Sequence, residues 1–251
     1  MTRNGSLAAL AVALGSLIAA SGVQAQEKAN SWSGYVLKNA HPAEPGPPIF
    51  SEVSATWTQP VVTCPVDGAR VSFWVGIDGF GTPTVEQAGT VAVCGAANQP
   101  PLYYKSFWEM YAPDGNSRGG EPFVVSPGDI IKAGVQYVKG SYKLVLDDVT
   151  SHASFAKTEF CGTAYPCKRA TAEWIVERPG GQPLADYGKV EFSSTRAVSS
   201  TPPGRDSIEM VHANTALSLC EPVRSAKLGA PSVVTAATAS GSFICHWMAA
   251  E

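Results

Sequence analysis

Apolar and polar positions alternate with a period of two in segment after segment of this chain, the spacing that sends successive side chains to opposite faces of a strand. Asn30–Leu37 and Ser51–Pro60 open the series. Phe73, Trp74 and Val75 read as the end of a buried strand, after which Gly76, Gly79 and Gly81 let the chain turn. Over Tyr103–Tyr111 the alternation places Phe107, Glu109 and Tyr111 on one face and Trp108 and Met110 on the other. Ile130–Val138 and Tyr142–Leu146, joined through Lys139-Gly140-Ser141, read as a hairpin. Further strands are expected at Ser154–Phe160, Ala172–Val176, Val190–Ser193, Ser207–Val211 and Ser242–Trp247. His41–Pro48 holds four prolines, which remove ladder donors, and Asp114–Gly120 is rich in Gly, Asn and Ser, so both read as surface loops. Beyond the N-terminal apolar stretch, no segment sustains apolar residues at i, i+3, i+4 and i+7. With 24 Gly and 19 Pro between short strands, the pattern predicts an all-β sandwich or barrel.

Composition narrows this picture. A 251-residue chain that is 45% hydrophobic is long enough for one sizeable core. Only 16% of residues are charged, against about 25% in an average soluble domain. Few ion pairs are therefore lost when carboxylates protonate, which suits acid surroundings. The net charge of −3 comes without a basic block, so no nucleic-acid partner is expected. Arg3, the apolar run Leu7–Ala20 and the small residues around Val23-Gln24-Ala25 have the form of a secretory signal peptide over residues 1–25. Its removal takes one positive charge and moves the net charge from −3 to −4. Residues 26–251 are then expected to form a single secreted all-β domain, a monomer with no membrane attachment. Six cysteines in an exported chain imply three disulfides out of fifteen possible connectivities. The sequence-near pairs Cys64–Cys94, Cys161–Cys167 and Cys220–Cys245 are favoured because each clips a loop or hairpin. No C-x-x-C or H-E-x-x-H is present and the four histidines are scattered, so neither a metal nor another cofactor is expected.

The densest polar chemistry lies in Ser72–Gly89, SFWVGIDGFGTPTVEQAG, where Asp78 sits between glycines and Gln87 two residues before another. Trp74–Gly79 (WVGIDG) with Gln87–Gly89 (QAG), Tyr103–Tyr111 (YYKSFWEMY) and Ala172–Glu177 (AEWIVE) resemble, in the same order, three motifs of the glutamic peptidase (eqolisin) family. The resemblance covers most of residues 30–193 and fades after them. It implies two antiparallel sheets bent around a concave cleft, and an endopeptidase acting on polypeptides in acid. It also implies that Gln87 and Glu173 together hold the attacking water, with Trp74, Asp78 and Glu109 as functional or supporting residues. Trp74 would form a wall of the site, and Asp78 and Glu109 would orient the amide and the water. The family often has an Asp a few residues after its catalytic glutamine, whereas Val91 stands at that spacing here. Many members carry a propeptide, for which residues 26–30 leave little room. Strand alternation independently puts Glu173, Ile175 and Glu177 on the face opposite Trp174.

Three other readings compete. Glu109 and Glu173 are a candidate carboxylate pair for a β-jelly-roll glycoside hydrolase, which needs them about 5–9.5 Å apart. Trp108 and Trp174 are candidate stacking platforms for a non-catalytic carbohydrate-binding module. Gly115-Asn116-Ser117-Arg118-Gly119 fits G-x-S-x-G, but no helix pattern follows it as a nucleophile elbow requires.

Overall fold

The computed structural model describes residues 26–28, 31–39, 49–200, 208–214, 218–222, 233–234 and 241–248; the expected signal segment and the His41–Pro48 loop lie outside them. Within them the chain forms β1 (Gln26–Lys28), β2 (Trp32–Asn39), β3 (Phe50–Thr58), β4 (Arg70–Asp78), β5 (Val85–Val93), β6 (Tyr103–Tyr111), β7 (Arg118–Gly120) and β8 (Ile130–Val138). These are followed by β9 (Ser141–Asp148), β10 (Ala153–Glu159), β11 (Thr171–Glu177), β12 (Lys189–Ser199), β13 (Ile208–Asn214), β14 (Ser218–Pro222), β15 (Val233–Val234) and β16 (Gly241–Trp247). One 3-10 turn at Pro179–Gly181 is the sole helical element among the described residues. None of their helices is long and apolar enough to cross a membrane.

The strands form two sheets. The first runs β1-β13-β2-β11-β4-β5-β6-β7 and the second β10-β9-β8-β3-β12-β16-β14, with β15 also pairing β12. All pairings are antiparallel except β1 with β13 and β12 with β15. Between the sheets the inward faces interdigitate as a two-layer sandwich requires. Tyr35 of β2 meets Phe243 of β16 at 4.7 Å, and Phe243 stacks on Phe192 of β12 at 4.9 Å. Trp57, Phe73, Leu146 and Trp174 belong to the same core.

The first sheet is apolar on its outer face too. Val36, Trp74 and Ile175 are buried there, with Trp32, Phe80, Val85 and Phe107 packed against them. Burial on both faces makes β4 a nearly continuous apolar run, which corrects the sequence reading in one place. The strand does not end at Val75 but continues through Gly76 to Asp78, and the turn comes at Gly79 and Gly81, both at positive φ. A Cβ at Gly76 would lie 2.9 Å from the Trp74 ring and 3.1 Å from Val85, so this glycine is demanded by packing rather than by a turn.

Most expected strands are present with shifted ends, including the hairpin with Lys139 and Gly140 at positive φ in its two-residue turn. The Asp114–Gly120 loop is shorter than expected because Arg118–Gly120 pairs with β6. β12 extends beyond Ser193 through an irregularity between Phe192 and Thr195. β5 was absent from the expected set; its buried face carries Glu86 and Thr90, which disguise the alternation. The three favoured disulfides are those formed.

Candidate active site

One row of Cα partners crosses the first sheet through Val36 (β2), Glu173 (β11), Gly76 (β4), Gln87 (β5), Glu109 (β6) and Gly119 (β7). Register partners point to the same face. Glu173, Gln87, Glu109 and Gly119 of this row line a cleft of about 940 Å³, walled by Trp32, Trp74, Phe80, Phe107 and Tyr111. That volume lies at the upper end of the ~300–1,000 Å³ typical of ligand clefts. Gly76 carries no side chain, and the Trp74 ring and Val85 pack over it between Glu173 and Gln87. Two strand spacings of about 4.8 Å separate the backbones of those two residues.

Glu173 is held tightly. Its Oε1 accepts the Phe80 N–H at 2.6 Å and the Thr171 hydroxyl at 2.8 Å. A Cβ on Gly79 would come within 2.9 Å of its Oε2. Burial pushes its carboxyl up, the Phe80 and Thr171 donors pull it back, and the charges of Asp78 and Glu177 push it up again, to about 8 in balance.

Gln87 is 8% exposed, and its Nε2 donates to Glu109 Oε2 at 2.8 Å. A primary amide has two N–H donors, so one is spent on Glu109 and the other is available to the cleft. Gln87 Oε1 has no partner in the protein. Burial raises the Glu109 carboxyl, and the Gln87 hydrogen bond lowers it. Trp74 lines the cleft, and its indole N–H donates to Glu177 Oε2 at 3.0 Å. Glu177, placed on the correct face by alternation but not singled out from sequence, is thereby a further carboxyl of the cleft beside Glu173 and Glu109. Its proton affinity is raised by burial, lowered by Trp74 and raised by the charge of Glu109.

Asp78 stands apart from these groups. It is 0% exposed and does not line the cleft. Its Oδ2 accepts the N–H groups of Lys168 (2.7 Å) and Arg169 (2.8 Å), and its Oδ1 that of Ala170 (2.7 Å). The residue expected to orient the amide or the water instead fastens the β4–β5 turn to the segment that enters β11, and so fixes the strand carrying Glu173. Nothing near Asp78 in sequence announces partners about ninety positions away. Val91, at the spacing where an acid was expected, lines the cleft opposite Ser72.

The geometry also bears on the competing readings. Glu173 and Glu109 are three strand spacings apart, about 14 Å between Cα atoms, and each is tied to a different neighbour, which does not suit a glycosidase pair. Trp174 is fully buried with its indole N–H on the Ser54 carbonyl, and Trp108 packs in the core beside Phe155, so neither offers a sugar platform. Ser117 exchanges hydrogen bonds with the Ala112 backbone in the β6–β7 turn and is followed by strands rather than by the helix of a nucleophile elbow. Glu86, Cys161 and Cys167 group closely enough for metal ligands, but both sulfurs are consumed in a disulfide.

Comparison with known proteins bears on the family and the fold. A model of the Peptidase A4 family matches residues 30–241, so the likeness reaches well past residue 193. A solved structure of scytalido-glutamic peptidase with a transition state analog inhibitor aligns with a TM-score of 0.62 at 20% identity, covering 87% of this chain and 98% of that one. A second, with a peptide-based transition state analog, aligns at 0.60 and 20% with the same coverage. SCP-B, an eqolisin-family peptidase in complex with the tripeptide Ala-Ile-His, aligns at 0.56 and 19%, again covering 87% and 98%. At these identities the structural likeness is one of fold. No curated protein sequence matches.

Proposed function

This chain belongs to the peptidase A4 family, and from that premise we propose that it is a secreted endopeptidase that hydrolyses peptide bonds with a water held between Glu173 and Gln87. The observation that carries the reading is the single register row that brings Glu173, Gln87 and Glu109 to one face of the sheet, all three lining the cleft. A carboxylate facing that cleft can take a proton from the water as it attacks the carbonyl, then return it to the leaving amine. The free N–H of Gln87 faces the developing oxyanion, while Glu109 holds the amide in the orientation that leaves this donor available. Asp78 serves the site from behind, by positioning the strand of Glu173.

Export is supported by the apolar run behind Arg3 and by three disulfides, which persist in oxidising compartments. Action in acid is supported by the buried carboxyls. Asp78, Glu86, Glu109, Glu173 and Glu177 are all raised above their ordinary values. Each therefore binds its proton more tightly in the fold than in the unfolded chain. The stability it contributes is complete below the unfolded value and lost as pH rises through the folded one, so acid favours the fold. The base, by contrast, must be ionised. Activity is thus expected to climb with the titration of Glu173, between its ordinary 4.5 and about 8, while stability declines over the same range. The working range is where the two meet.

The test is digestion of an unfolded protein from pH 3 to pH 8 with a chelator, a serine-reactive reagent and pepstatin all present. Cleavage that resists all three, with Glu173→Gln lowering kcat by about 10²–10⁴, is the expected result. A Glu173→Gln protein that folds and keeps more than about a tenth of the activity removes Glu173 as the base.

A further inference from the structure

Behind the cleft floor, on the core side of the same sheet, lies a carboxyl that the proposed chemistry does not use. Glu86 precedes Gln87 on β5 and points the opposite way, with 1% of its surface exposed. Neither of its oxygens has a fixed donor. Its neighbours are the Asp78 carboxyl, the Thr84 hydroxyl and the Cys161–Cys167 disulfide. Two neighbouring buried carboxyls are stable side by side only if one carries a proton. Asp78 is already saturated by three backbone N–H groups, which favour its ionised form, so the proton belongs to Glu86.

We propose that Glu86 is a positioning residue: protonated, it donates a hydrogen bond to Asp78 and so completes the buried clamp that holds Lys168–Ala170, and through it Glu173, against the β4–β5 turn. Ionisation of Glu86 places two negative charges in contact inside the core and loosens that clamp.

The surroundings agree. Burial first, and then the charge of Asp78, push the Glu86 carboxyl up to about 9, with Thr84 acting in the opposite sense and the Glu173 charge adding to the rise. The other groups facing the pair are Tyr142 of β9, whose proton is held more tightly through burial and the charges of Glu86 and Asp78, and Arg169, whose guanidinium lies 3.8 Å from the Tyr137 ring. A group whose folded value lies far above its unfolded 4.5 stabilises the fold fully below pH 4.5. That contribution is lost progressively as pH rises towards about 9. Within the window a single such proton costs the folding equilibrium constant up to about tenfold per pH unit.

The experiment compares wild type with Glu86→Gln and Glu86→Leu by denaturant unfolding from pH 5 to pH 9, and by amide hydrogen exchange at Lys168, Arg169 and Ala170. Glutamine keeps an N–H for Asp78 at every pH, whereas leucine keeps none. The Gln variant is expected to lose stability with pH less steeply than wild type, by up to about tenfold in the folding constant per pH unit, and to keep the three amides protected. The Leu variant is expected to share the shallower slope but expose those amides at least tenfold more. Parallel stability profiles for wild type and Gln, or equal protection in Gln and Leu, overturn the proposal. Should neither variant fold, wild type alone decides: protection of the three amides, corrected for intrinsic exchange, falls selectively towards pH 9. Protection that stays level over that range overturns the proposal equally. The inference rests on the peptidase reading only for its consequence at Glu173; these readouts need no substrate, so a chain that cleaves nothing still tests it.

Discussion

The two halves of the cleft floor, on either side of Gly76, are built on opposite plans. On the β11 side Glu173 accepts a backbone N–H and a hydroxyl, has no room for a side chain at Gly79, and follows a segment fastened by Asp78. On the β5–β6 side Gln87 is oriented by one side-chain hydrogen bond to Glu109, and its oxygen has no protein partner. The first half uses fixed donors to govern a proton. The second leaves an amide with unused hydrogen-bonding capacity. A group that must change charge during a reaction needs a surrounding that does not rearrange, whereas a donor to a transient oxyanion needs a free N–H at the right moment.

Substitution at either half should abolish most activity, and the pH profile should separate them. Gln87→Ala is expected to lower kcat by about 10²–10³, with KM and stability little changed, because the lost interaction is made in the transition state. Its acid limb should survive, since Glu173 still titrates. The residual activity of Glu173→Gln should instead lose that limb. A Gln87→Ala protein with near wild-type kcat would leave the second half of the floor without a role. Identical residual pH profiles in the two variants would erase the distinction between the halves.

A smaller loss is expected when the pressure on Glu173 is altered. Gly79 adopts φ 112 and a methyl there would meet Glu173 Oε2 at 2.9 Å. Gly79→Ala therefore adds backbone strain and displaces the carboxyl, at a cost of about 1–3 kcal/mol in stability. Activity measured on the folded fraction should fall at least tenfold, because small misplacements of a reacting group are costly. Gly81→Ala, whose Cβ would meet nothing within 4 Å, is the control: it carries the positive-φ strain at φ 70 without touching Glu173. Equal losses of activity in both would show that strain, rather than the contact with the carboxyl, is responsible.

How legible all this is from sequence follows the same divide. The faces of β6 are readable because one side is core and the other cleft, and those of β11, though both are buried, because its two glutamates share one face: Glu109 and Glu173 could be placed opposite Trp108 and Trp174 from their neighbours alone. β4 and β5 are buried on both faces, and there the pattern fails; Gly76 looks like a turn and the strand of Gln87 goes unseen. The part played by Asp78 depends on Lys168–Ala170, and that of Glu86 on Asp78, contacts made by the register of the sheet and not by any local motif. The motif match could mark Asp78 as important without saying that it faces away from the substrate.

The mildest test of the comparison is Glu109, which acts on the substrate only through Gln87. Glu109→Gln keeps the shape and the register with Gly119 but exchanges an acceptor-only carboxylate for an amide. If its oxygen turns to Gln87, the bond is kept in neutral form and weakened, since hydrogen bonds to charged groups are about twice as strong as neutral ones. The Gln87 amide is then less well oriented, and kcat should fall by about threefold to thirtyfold, that is ~0.6–2 kcal/mol, less than the ~1.5–3 kcal/mol of a whole charge-assisted bond. Any part of the acid limb due to ionisation of Glu109 should vanish, leaving the single titration of Glu173. A loss as large as that of Gln87→Ala would mean that Glu109 itself touches the reacting atoms. No loss at all would mean that the amide is oriented without it, and the contrast between a rigid half and a lightly tethered half would have to be redrawn.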